Sequence, residues 1–282
     1  MKILTFDIEE WFHILDNAET QTTESWQKYD SRLRQGVDAI LELLDETGQP
    51  ATFFCLGWVA ERHPEVIRSI DSAGFEIASH SYAHQLAYQQ SREDFREDLG
   101  RSLTVLQDIT GKPIDTYRAP GFSITGENLW AFDELIGAGI KVDCSLFPAD
   151  RAHGGLASFG DAVPTLGNRD GQPIKLFPIN TRSVLGTKII YSGGGYFRLM
   201  PASLLKRWFS DDDYVMTYFH PRDFDPGQPM VPGLGPIRRF KSYVGIRGAK
   251  DKLRQLLTFN VFTDVRTASQ SVDWESAPQI SL

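Results

Sequence analysis

The sequence has 282 residues, 41% of them hydrophobic, which is enough to bury the core of one large domain or of two small ones. The formal net charge is −8 and no run of basic residues is present, which argues against nucleic acid as a partner. The sequence has neither a stretch of about 18 apolar residues nor the apolar run and cleavage site of a signal peptide, so we expect no transmembrane segment and a cytoplasmic location.

Strands and helices alternate from residue 2 to residue 145. Apolar runs rich in β-formers predict strands over residues 2–7, 51–56, 75–79, 115–117 and 140–145. Apolar residues at helical spacing, ended by Gly or Pro, predict helices over residues 31–47, 59–73, 92–110 and 127–138. This alternation is typical of an α/β fold in which helices cover a parallel sheet.

The alternation is interrupted from residue 146 to about residue 200, where Gly, Pro and Asp are frequent. We interpret this stretch as an elaborated loop region with strands near 174–178 and 187–191, and not as a separate domain. The pattern then resumes with a helix, a strand, a helix and a strand over residues 201–209, 214–220, 249–257 and 261–265. The sequence therefore predicts one domain over residues 1–270 and a loose C-terminal tail over residues 271–282.

Two histidines four residues apart follow the third predicted strand. His80 lies at the end of that strand and His84 one turn further on, so both imidazoles can meet one ion if the chain coils there. Two neutral imidazoles and a carboxylate form a zinc set that leaves a coordination position for water. The alternative interpretation is a helix N-terminus capped by Ser81, with two solvated histidines.

Polar side chains follow several other predicted strands. Functional residues of parallel α/β folds lie at the C-terminal ends of strands. The residues at such ends here are Asp7, Glu9, Glu10, His80, Arg118, Asp143 and His220. Together they suit metal-assisted hydrolysis, which needs ligands for the ion, a base, an acid and a cation to orient them. Of the remaining histidines, His13 is a candidate for lining the same pocket, whereas His63 and His153 are expected at the surface.

Five short motifs occur in order along the chain. They are Thr5-Phe6-Asp7-Ile8-Glu9, His80-Ser81-Tyr82-Ala83-His84, Arg118-Ala119-Pro120-Gly121, Asp143-Cys144-Ser145 and Tyr218-Phe219-His220. This series resembles the polysaccharide deacetylase family, carbohydrate esterase family four. The resemblance implies a distorted (β/α)7-type barrel that removes acyl groups, usually acetyl, from amino sugars.

The resemblance implies a role for each acidic and metal-binding position. Asp7 would be the general base, and His80 and His84 would be metal ligands, with zinc the favoured ion. Glu9 would be the third ligand, where the family commonly has aspartate. Glu10 is a rival for that role, but Asp7 and Glu9 are two residues apart and point the same way in a regular strand.

The remaining motif residues complete the implied site. Arg118 would pair with Asp7 and keep it ionised. Pro120 and Gly121 would adjoin the substrate, with the Gly121 N–H helping to hold the oxyanion. His220 would be the general acid, oriented or charged by Asp143.

A glycine-rich stretch, Ser192-Gly193-Gly194-Gly195-Tyr196-Phe197-Arg198, is either a flexible turn or a rim loop of the pocket. As a rim loop it would place Tyr196 on a sugar ring and Arg198 near an anionic group, and Trp11 would add a further aromatic wall. The stretches DIEEWFH, SGGGYFR and FHPRDFDP are similar to a branch of the family found in bacterial surface-polysaccharide and exopolysaccharide gene sets.

The function implied is metal-dependent hydrolysis of an N-acyl group, most often N-acetyl, on an amino sugar of a polysaccharide or its biosynthetic precursor. One alternative is deformylation, or metal-independent hydrolysis of another small amide, because Glu9 departs from the family pattern. A second alternative is a non-catalytic, sugar-binding member of the fold.

Overall fold

The computed structural model describes residues 1–149, 154–184 and 186–282. His153, expected at the surface, lies outside these residues. The strands are β1 Lys2–Ile3, β2 Thr5–Ile8, β3 Thr52–Cys55, β4 Glu76–Ser79, β5 Thr116–Tyr117, β6 Val142–Asp143, β7 Thr165–Arg169, β8 Gln172–Leu176, β9 Arg182–Val184, β10 Thr187–Ile189, β11 Val215–Met216 and β12 Gln279–Ser281. The α-helices are α1 Thr23–Trp26, α2 Leu33–Thr47, α3 Gly57–Arg62, α4 Pro64–Ser72, α5 Arg92–Thr110, α6 Ala131–Gly137, α7 Gly194–Leu199, α8 Ala202–Asp211, α9 Pro236–Tyr243, α10 Ala249–Phe259 and α11 Val265–Ser271.

The main sheet has eight strands in the order β12-β7-β8-β6-β5-β4-β3-β2. The strands β2, β3, β4, β5, β6 and β8 follow one another in the sheet, and each is parallel to the next. Strand β7 is antiparallel to β8. On the other side of β2, the chain around β11 runs parallel to the first strand, with β1 paired to β11 and Phe6 bridged to Phe219. The predicted α/β fold with a mainly parallel sheet is confirmed.

Side-chain hydrogen bonds bring the two ends of this strand series together. After β8 the chain continues beside Leu146, whose carbonyl accepts from the N–H of Ile179 (2.8 Å). The Asn180 Oδ1 then accepts from the N–H of Met216 (3.1 Å) and from the hydroxyl of Ser192 (3.0 Å). The ring of strands is therefore a distorted barrel in which a side chain spans the last gap.

Alternate residues of the strands face two different apolar layers. Phe53 and Cys55 of β3 pack in the cluster that includes the buried faces of the helices. Phe54 belongs with Ala78, Val142 and Met216 to a second cluster inside the barrel. Because parallel partners in register point the same way, the pairing of Asp7 with Phe54 directs Asp7 into the barrel.

Capping residues explain where the longest helix begins and ends. The Ser91 side chain accepts from the Asp94 N–H (3.1 Å) at the start of α5, and Gly111 ends the helix at a φ of 67°. Between these limits the buried residues Phe95, Leu99, Leu103 and Leu106 face the core. Each such side chain stabilises the fold by about 1.5–3 kcal/mol when fully buried.

The structure corrects several predicted elements. The helix predicted over residues 59–73 is two helices, because Pro64 begins α4 after a break at His63. The strand predicted over residues 261–265 is reduced to a single bridge between Ile3 and Thr263, and α11 follows at once. The tail expected to be loose pairs with the sheet through β12, which is parallel to β7. The elements that the prediction missed are α1, β7, β9, α7, α9, α11 and β12.

Candidate active site

His80 and His84 are held by a loop and not by the predicted helical turn. Ser81 and His84 both have positive φ angles, 67° and 53°, which fold the chain back after β4. The Asp98 carboxylate accepts from the N–H groups of Tyr82 (2.7 Å) and Ala83 (2.8 Å). The two histidines are therefore brought together by a carboxylate that fixes the loop, and the helix N-terminus capped by Ser81 is not present.

Glu9, His80 and His84 form a buried cluster of three metal-ligand types. The Glu9 Oε1 lies 3.1 Å from His80 Nε2 and 3.0 Å from His84 Nε2. Burial alone would raise the pKa of Glu9, but the charge of His84 and the hydrogen bonds of both histidines outweigh it and hold the pKa well below its usual range.

The hydrogen bonding of His80 makes this cluster suitable for a cation. The His80 Nδ1 lies 2.8 Å from the Arg118 carbonyl oxygen, which can only accept, so Nδ1 carries a proton. In the neutral ring the Nε2 lone pair then faces the Glu9 carboxylate, and two acceptors at this distance need a proton or a metal ion between them. Zinc bonds of about 2.0–2.2 Å to nitrogen and oxygen fit such ligand separations. The residues present therefore fit a bound divalent ion.

Glu10 points away from this cluster. Its carboxylate accepts from the Ser31 hydroxyl and from the N–H of Arg32 (3.1 Å). The carboxylate Oε1 lies 4.0 Å from Nε2 of His63, outside the cluster. The structure thus places Glu9, and not Glu10, beside His80 and His84.

Asp7 and Arg118 form a buried ion pair inside the barrel. The Arg118 Nη1 donates to Asp7 Oδ1 (2.6 Å) and to the hydroxyl of Thr5 (2.8 Å). The guanidinium group also lies 4.0 Å from the centre of the Phe54 ring. Because a planar cation held on two sides has little freedom, it fixes the direction of the Asp7 carboxylate.

His220 faces the carboxylates of Asp7 and Glu9 from the opposite side. Its Nε2 lies 3.9 Å from Asp7 Oδ2 and 3.8 Å from Glu9 Oε1. Its Nδ1 lies 3.3 Å from Asp223 Oδ2, which also accepts from the His220 backbone N–H (2.9 Å). Burial alone would lower the pKa of His220, but the Asp223 hydrogen bond and the surrounding carboxylates raise it to about 9.

Asp223 is itself paired with Arg198. The Arg198 Nη1 donates to Asp223 Oδ1, and its other nitrogens donate to the carbonyl oxygens of Lys241, Ser242 and Val244. Burial alone would raise the pKa of Asp223, but the Arg198 charge and His220 lower it to about 2. Arg198, expected to meet an anionic group of a substrate, is thus engaged by a carboxylate of the protein.

Asp143 is linked through Ser145 to the segment that carries Arg118, and not to His220. Its two oxygens accept from the N–H (3.0 Å) and the hydroxyl (2.5 Å) of Ser145. The Ser145 oxygen in turn accepts from the N–H of Ala119 (2.8 Å), next to Arg118. Burial raises the pKa of Asp143 to about 7. The carboxylate behind His220 is therefore Asp223, and the expected pairing with Asp143 is wrong.

Sequence reasoning missed Asp223 although a signal was present. Asp223 stands three residues after His220 in a turn that begins at Pro221, and its side chain accepts from the backbone N–H of His220, the residue just before that turn. An acidic residue three positions into a turn commonly bonds back in this way. The turn chemistry of His220-Pro221-Arg222-Asp223 could therefore have identified the partner.

These groups surround a cavity of about 370 Å³. This volume is within the range of about 300–1,000 Å³ that is usual for ligand sites. The lining side chains are Asp7, Glu9, His13, His80, His84, Arg118, Phe122, Arg198, Tyr218, His220, Arg222, Asp223, Arg238 and Lys241, with Gly121, Gly194 and Gly195 among the smaller residues. The cavity thus unites the metal-ligand cluster, the Asp7–Arg118 pair and His220.

Three residues predicted to contact substrate are not part of this lining, as far as the described residues form it. Trp11 is buried, and its Nε1 donates to the carbonyl oxygen of Asp30 (3.0 Å). Tyr196 is 38% exposed on α7. Pro120 is buried at the start of a short 3-10 turn, whose next residue, Gly121, has a φ of 63° and lines the cavity.

The three glycines of the 192–198 stretch serve close packing. Gly193 bridges to Tyr218, and a Cβ added at Gly193 would lie 2.0 Å from the Tyr218 carbonyl oxygen. A Cβ at Gly195 would lie 2.8 Å from the Lys241 carbonyl oxygen. The glycines therefore let α7 approach both the strand that precedes His220 and the helix α9.

Comparison with known families agrees with this arrangement. Residues 17–135 match the family model "Polysaccharide deacetylase", and structural neighbours include proteins of carbohydrate esterase family four. The chain contains a polysaccharide deacetylase domain. Residues 144–270 match a second model, "Domain of unknown function (DUF3473)".

Curated relatives of this deacetylase domain cover only part of the chain. A peptidoglycan deacetylase of Helicobacter pylori is 30% identical over 118 residues, which are 41% of this chain and 38% of that protein. A chitooligosaccharide deacetylase of Sinorhizobium fredii is 30% identical over 129 residues, 44% of this chain and 57% of that protein. The chain thus spans less than two thirds of the length of these relatives.

A solved structure supports the fold over the whole chain. A candidate polysaccharide deacetylase from Mycobacterium smegmatis superposes with a TM-score of 0.67 at 21% identity, covering 100% of this chain and 92% of that one. The distorted barrel expected for a polysaccharide deacetylase domain is thereby confirmed. Within the described residues, no helix combines the length and the apolar character needed to cross a membrane.

The two family matches divide the site residues between them. His80, His84, Arg118 and Gly121 lie within the deacetylase match, whereas Arg198, His220 and Asp223 lie within the DUF3473 match. Asp7 and Glu9 precede both matches. The cavity of this polysaccharide deacetylase domain is therefore completed by the DUF3473 part of the chain.

Proposed function

We propose that this protein is a metal-dependent hydrolase that removes an N-acyl group, in most cases acetyl, from an amino sugar of a polysaccharide or its biosynthetic precursor. The observation that carries the proposal is one cavity that holds Glu9, His80 and His84 opposite a carboxylate paired with arginine and a histidine paired with aspartate. The relatives described above, a peptidoglycan deacetylase and a chitooligosaccharide deacetylase, support an N-acetylated sugar as substrate.

The proposed ion is divalent, with zinc favoured, and its ligands are Glu9, His80 and His84. When bound there, it would supply a Lewis acid that polarises the amide carbonyl and lowers the pKa of water. His80 keeps the ligand nitrogen Nε2 free because its Nδ1 donates to the Arg118 carbonyl oxygen. This bond also ties the ligand to the segment that carries Arg118.

Asp7 is the general base of the proposed reaction. It accepts the proton of the attacking water, and the hydrogen bond from Arg118 keeps the carboxylate aimed into the cavity. Asp143 acts indirectly, because Ser145 links it to Ala119 in the loop that presents Arg118 and Gly121. The Gly121 N–H is proposed to donate to the carbonyl oxygen as negative charge develops, a contact worth about 3 kcal/mol.

His220 is the general acid. Its Nε2 delivers a proton to the sugar nitrogen as the C–N bond breaks, so that water and the amide become acetate and a free amine. Asp223 accepts from Nδ1 and keeps the ring in the orientation in which Nε2 faces Asp7 and Glu9. Arg198 holds Asp223 in place.

Acetate release from N-acetylated glucosamine oligomers, with metal-free and zinc-reconstituted protein, tests the proposal together with elemental analysis. We expect activity only after zinc is restored, and loss of both metal and activity in His80→Ala. His63→Ala is the matched control, because His63 is partly exposed and interacts with Glu65 outside the cavity. Equal metal content in His80→Ala and the unaltered protein would contradict the ligand set, and full activity of metal-free protein would favour the metal-independent alternative.

A further inference from the structure

Positive charge is concentrated in one segment of this acidic protein. The chain has a net charge of −8, yet residues 226–250 contain five Lys or Arg residues and no Asp or Glu. Only two of the five are adjacent in the sequence, so the segment contains no basic run. The five residues are Arg238, Arg239, Lys241, Arg247 and Lys250.

Helix α9 brings part of this charge to the cavity. Arg238 and Lys241 are three residues apart, so they share a face of the helix, and both line the cavity. Arg238 donates to the carbonyl oxygens of Leu15 and Asp16 and not to a carboxylate in the described part of the chain. Arg239, the next residue, is exposed and contacts the sulfur of Met230 outside the cavity lining.

A third cation, Arg222, lies in the same lining with buried nitrogen atoms that have no partner. Its Nε and Nη2 are inaccessible to water and make no hydrogen bond within the described residues. Burial lowers the pKa of Arg222. Two guanidinium nitrogens buried without acceptors destabilise the free protein, and an anion bound beside this group would offset part of that penalty.

The other cations of the cavity are already neutralised. Arg118 is paired with Asp7, and Arg198 with Asp223. Glu9, the remaining acidic residue of the lining, faces the two histidines. Among the described residues of the lining, Arg222, Arg238 and Lys241 are thus the Lys and Arg side chains that form no ion pair with a carboxylate, and we call these three residues the basic wall.

We propose that Arg222, Arg238 and Lys241 form a subsite for an anionic group carried by the amino-sugar substrate. The inference rests on the proposed function, because it takes the same cavity as the sugar site. A guanidinium group can bind two oxygens of a phosphate or carboxylate side by side, and Lys241 adds a mobile point charge. The anion is either a phosphate that links the sugar to a carrier or a carboxylate on the sugar itself.

Three probes of matched size test the subsite with zinc-reconstituted protein: methyl N-acetylglucosaminide, N-acetylglucosamine 1-phosphate and N-acetylmuramic acid. Their Kd values are measured by calorimetry and their kcat/KM values by acetate release. We expect at least one anionic probe to exceed the neutral probe about tenfold in both quantities. A preference for the phosphate indicates a carrier-linked substrate, and a preference for the N-acetylmuramic acid carboxylate indicates an acidic sugar.

Variants locate that preference. Arg222→Gln and Lys241→Gln should each reduce the ratio of anionic to neutral kcat/KM about tenfold, and Arg222→Lys, which keeps the charge but not the planar fork, should reduce it less. Arg239→Gln is the matched control and should keep the full ratio. Lys241→Gln also provides the test if Arg222→Gln does not fold.

The outcomes separate this inference from the proposed function. Hydrolysis of all three probes with equal kcat/KM would overturn the subsite and leave the hydrolase intact. Preferential binding of an anionic probe without acetate release would support the subsite and contradict the hydrolase. Absence of binding by every probe, or an equal loss of preference in Arg239→Gln, would overturn the subsite.

Discussion

The parts of the chain before and after residue 146 build the cavity in different ways. In the first part, Asp7 lies in β2, His80 directly follows β4, and Arg118 directly follows β5, and all three are buried. In the second part, the turn Pro221–Phe224 and the short helices α7 and α9 supply Asp223, Arg198 and Lys241. Strands paired in a sheet hold their side chains at fixed mutual distances, whereas turns and short helices can vary without altering the sheet.

This contrast suggests a division of labour. We call the chain before residue 146 the regular part and the chain after it the irregular part. The groups proposed for water activation come from the regular part, and the groups proposed for substrate recognition come from the irregular part. His220 is the exception, since it follows the last strand of the ring and is oriented by Asp223 of the adjoining turn. Changes in the regular part should therefore affect the rate for every substrate, and changes in the irregular part should affect the choice among substrates.

The largest effect is expected for Asp7→Asn in the regular part. The amide keeps the size of the side chain but cannot accept the proton of water, so the rate should fall at least about 100-fold for every substrate while zinc is retained. Acetate release and elemental analysis measure the two quantities. If Asp7→Asn lost zinc and Glu9→Gln kept it, the roles of base and ligand would have to be exchanged.

The next largest effect concerns His220. His220→Ala should slow hydrolysis of a sugar amide about 100-fold and that of an activated aryl ester less than about tenfold, because an aryl oxide leaves without a proton and an amine does not. Asp223→Asn should follow the same direction with a smaller difference. Equal losses on both substrates would make His220 a structural or oxyanion-binding residue.

A smaller effect is expected in the stability of the folded protein and concerns Asp143. Its pKa of about 7 in the folded state lies above the ordinary value of 3.8. The folded protein therefore holds a proton that the unfolded chain releases, and stability falls as pH rises towards 7. Between pH 5 and pH 7 the loss should be roughly 2 kcal/mol.

Urea unfolding of the unaltered protein and of Asp143→Asn at pH 5, 6 and 7 measures this loss. The asparagine does not titrate, so the difference between the two proteins should change with pH even if the variant is less stable throughout. Parallel stability profiles would show that Asp143 has an ordinary pKa.

The smallest effect is expected at the edge of the sheet far from the cavity. We propose that the catalytic domain ends near residue 270, although β12 pairs with β7 and the Leu282 N–H donates to the Asn168 carbonyl oxygen (2.9 Å). Removal of residues 279–282 should lower the free energy of unfolding by about 1–2 kcal/mol and leave kcat unchanged. A reduced kcat would extend the catalytic domain to the C-terminus.

Much of the regular part could be predicted from sequence because strand, helix and strand-end residue recur there. The prediction for α5, residues 92–110, coincides with the observed helix because Ser91 and Gly111 mark its ends. The strand ends carrying Asp7, His80 and Arg118 were located by the same alternation. The conformation of the loop after His80 could not be predicted, because positive φ angles at two non-glycine residues leave no pattern in the sequence.

The irregular part was predicted less well for physical reasons. Its strands are short, and β11 has two residues, too few for a periodic pattern to stand out. The burial of Arg198 and its pairing with Asp223 depend on the packing of α7 against α9, which no local pattern reports. The family resemblance implies that Asp143 orients His220, but strand order decides which side chains meet, and β6 is paired with β5 and β8 and not with β11.

The close packing at Gly193 and Gly195 fixes the distance between two parts of the cavity, the proposed proton donor His220 and the proposed anion subsite. Helix α7 rests on Tyr218, two residues before His220, without room for even one methyl group. The same helix contacts the backbone of α9 at Gly195. The distance between Lys241 on α9 and His220 is therefore set by contacts between backbone atoms. Any side chain at either glycine would act as a wedge between them. Substitutions at positions such as Lys241 can therefore alter substrate selectivity, whereas substitutions at the two glycines would displace α7 from its neighbours.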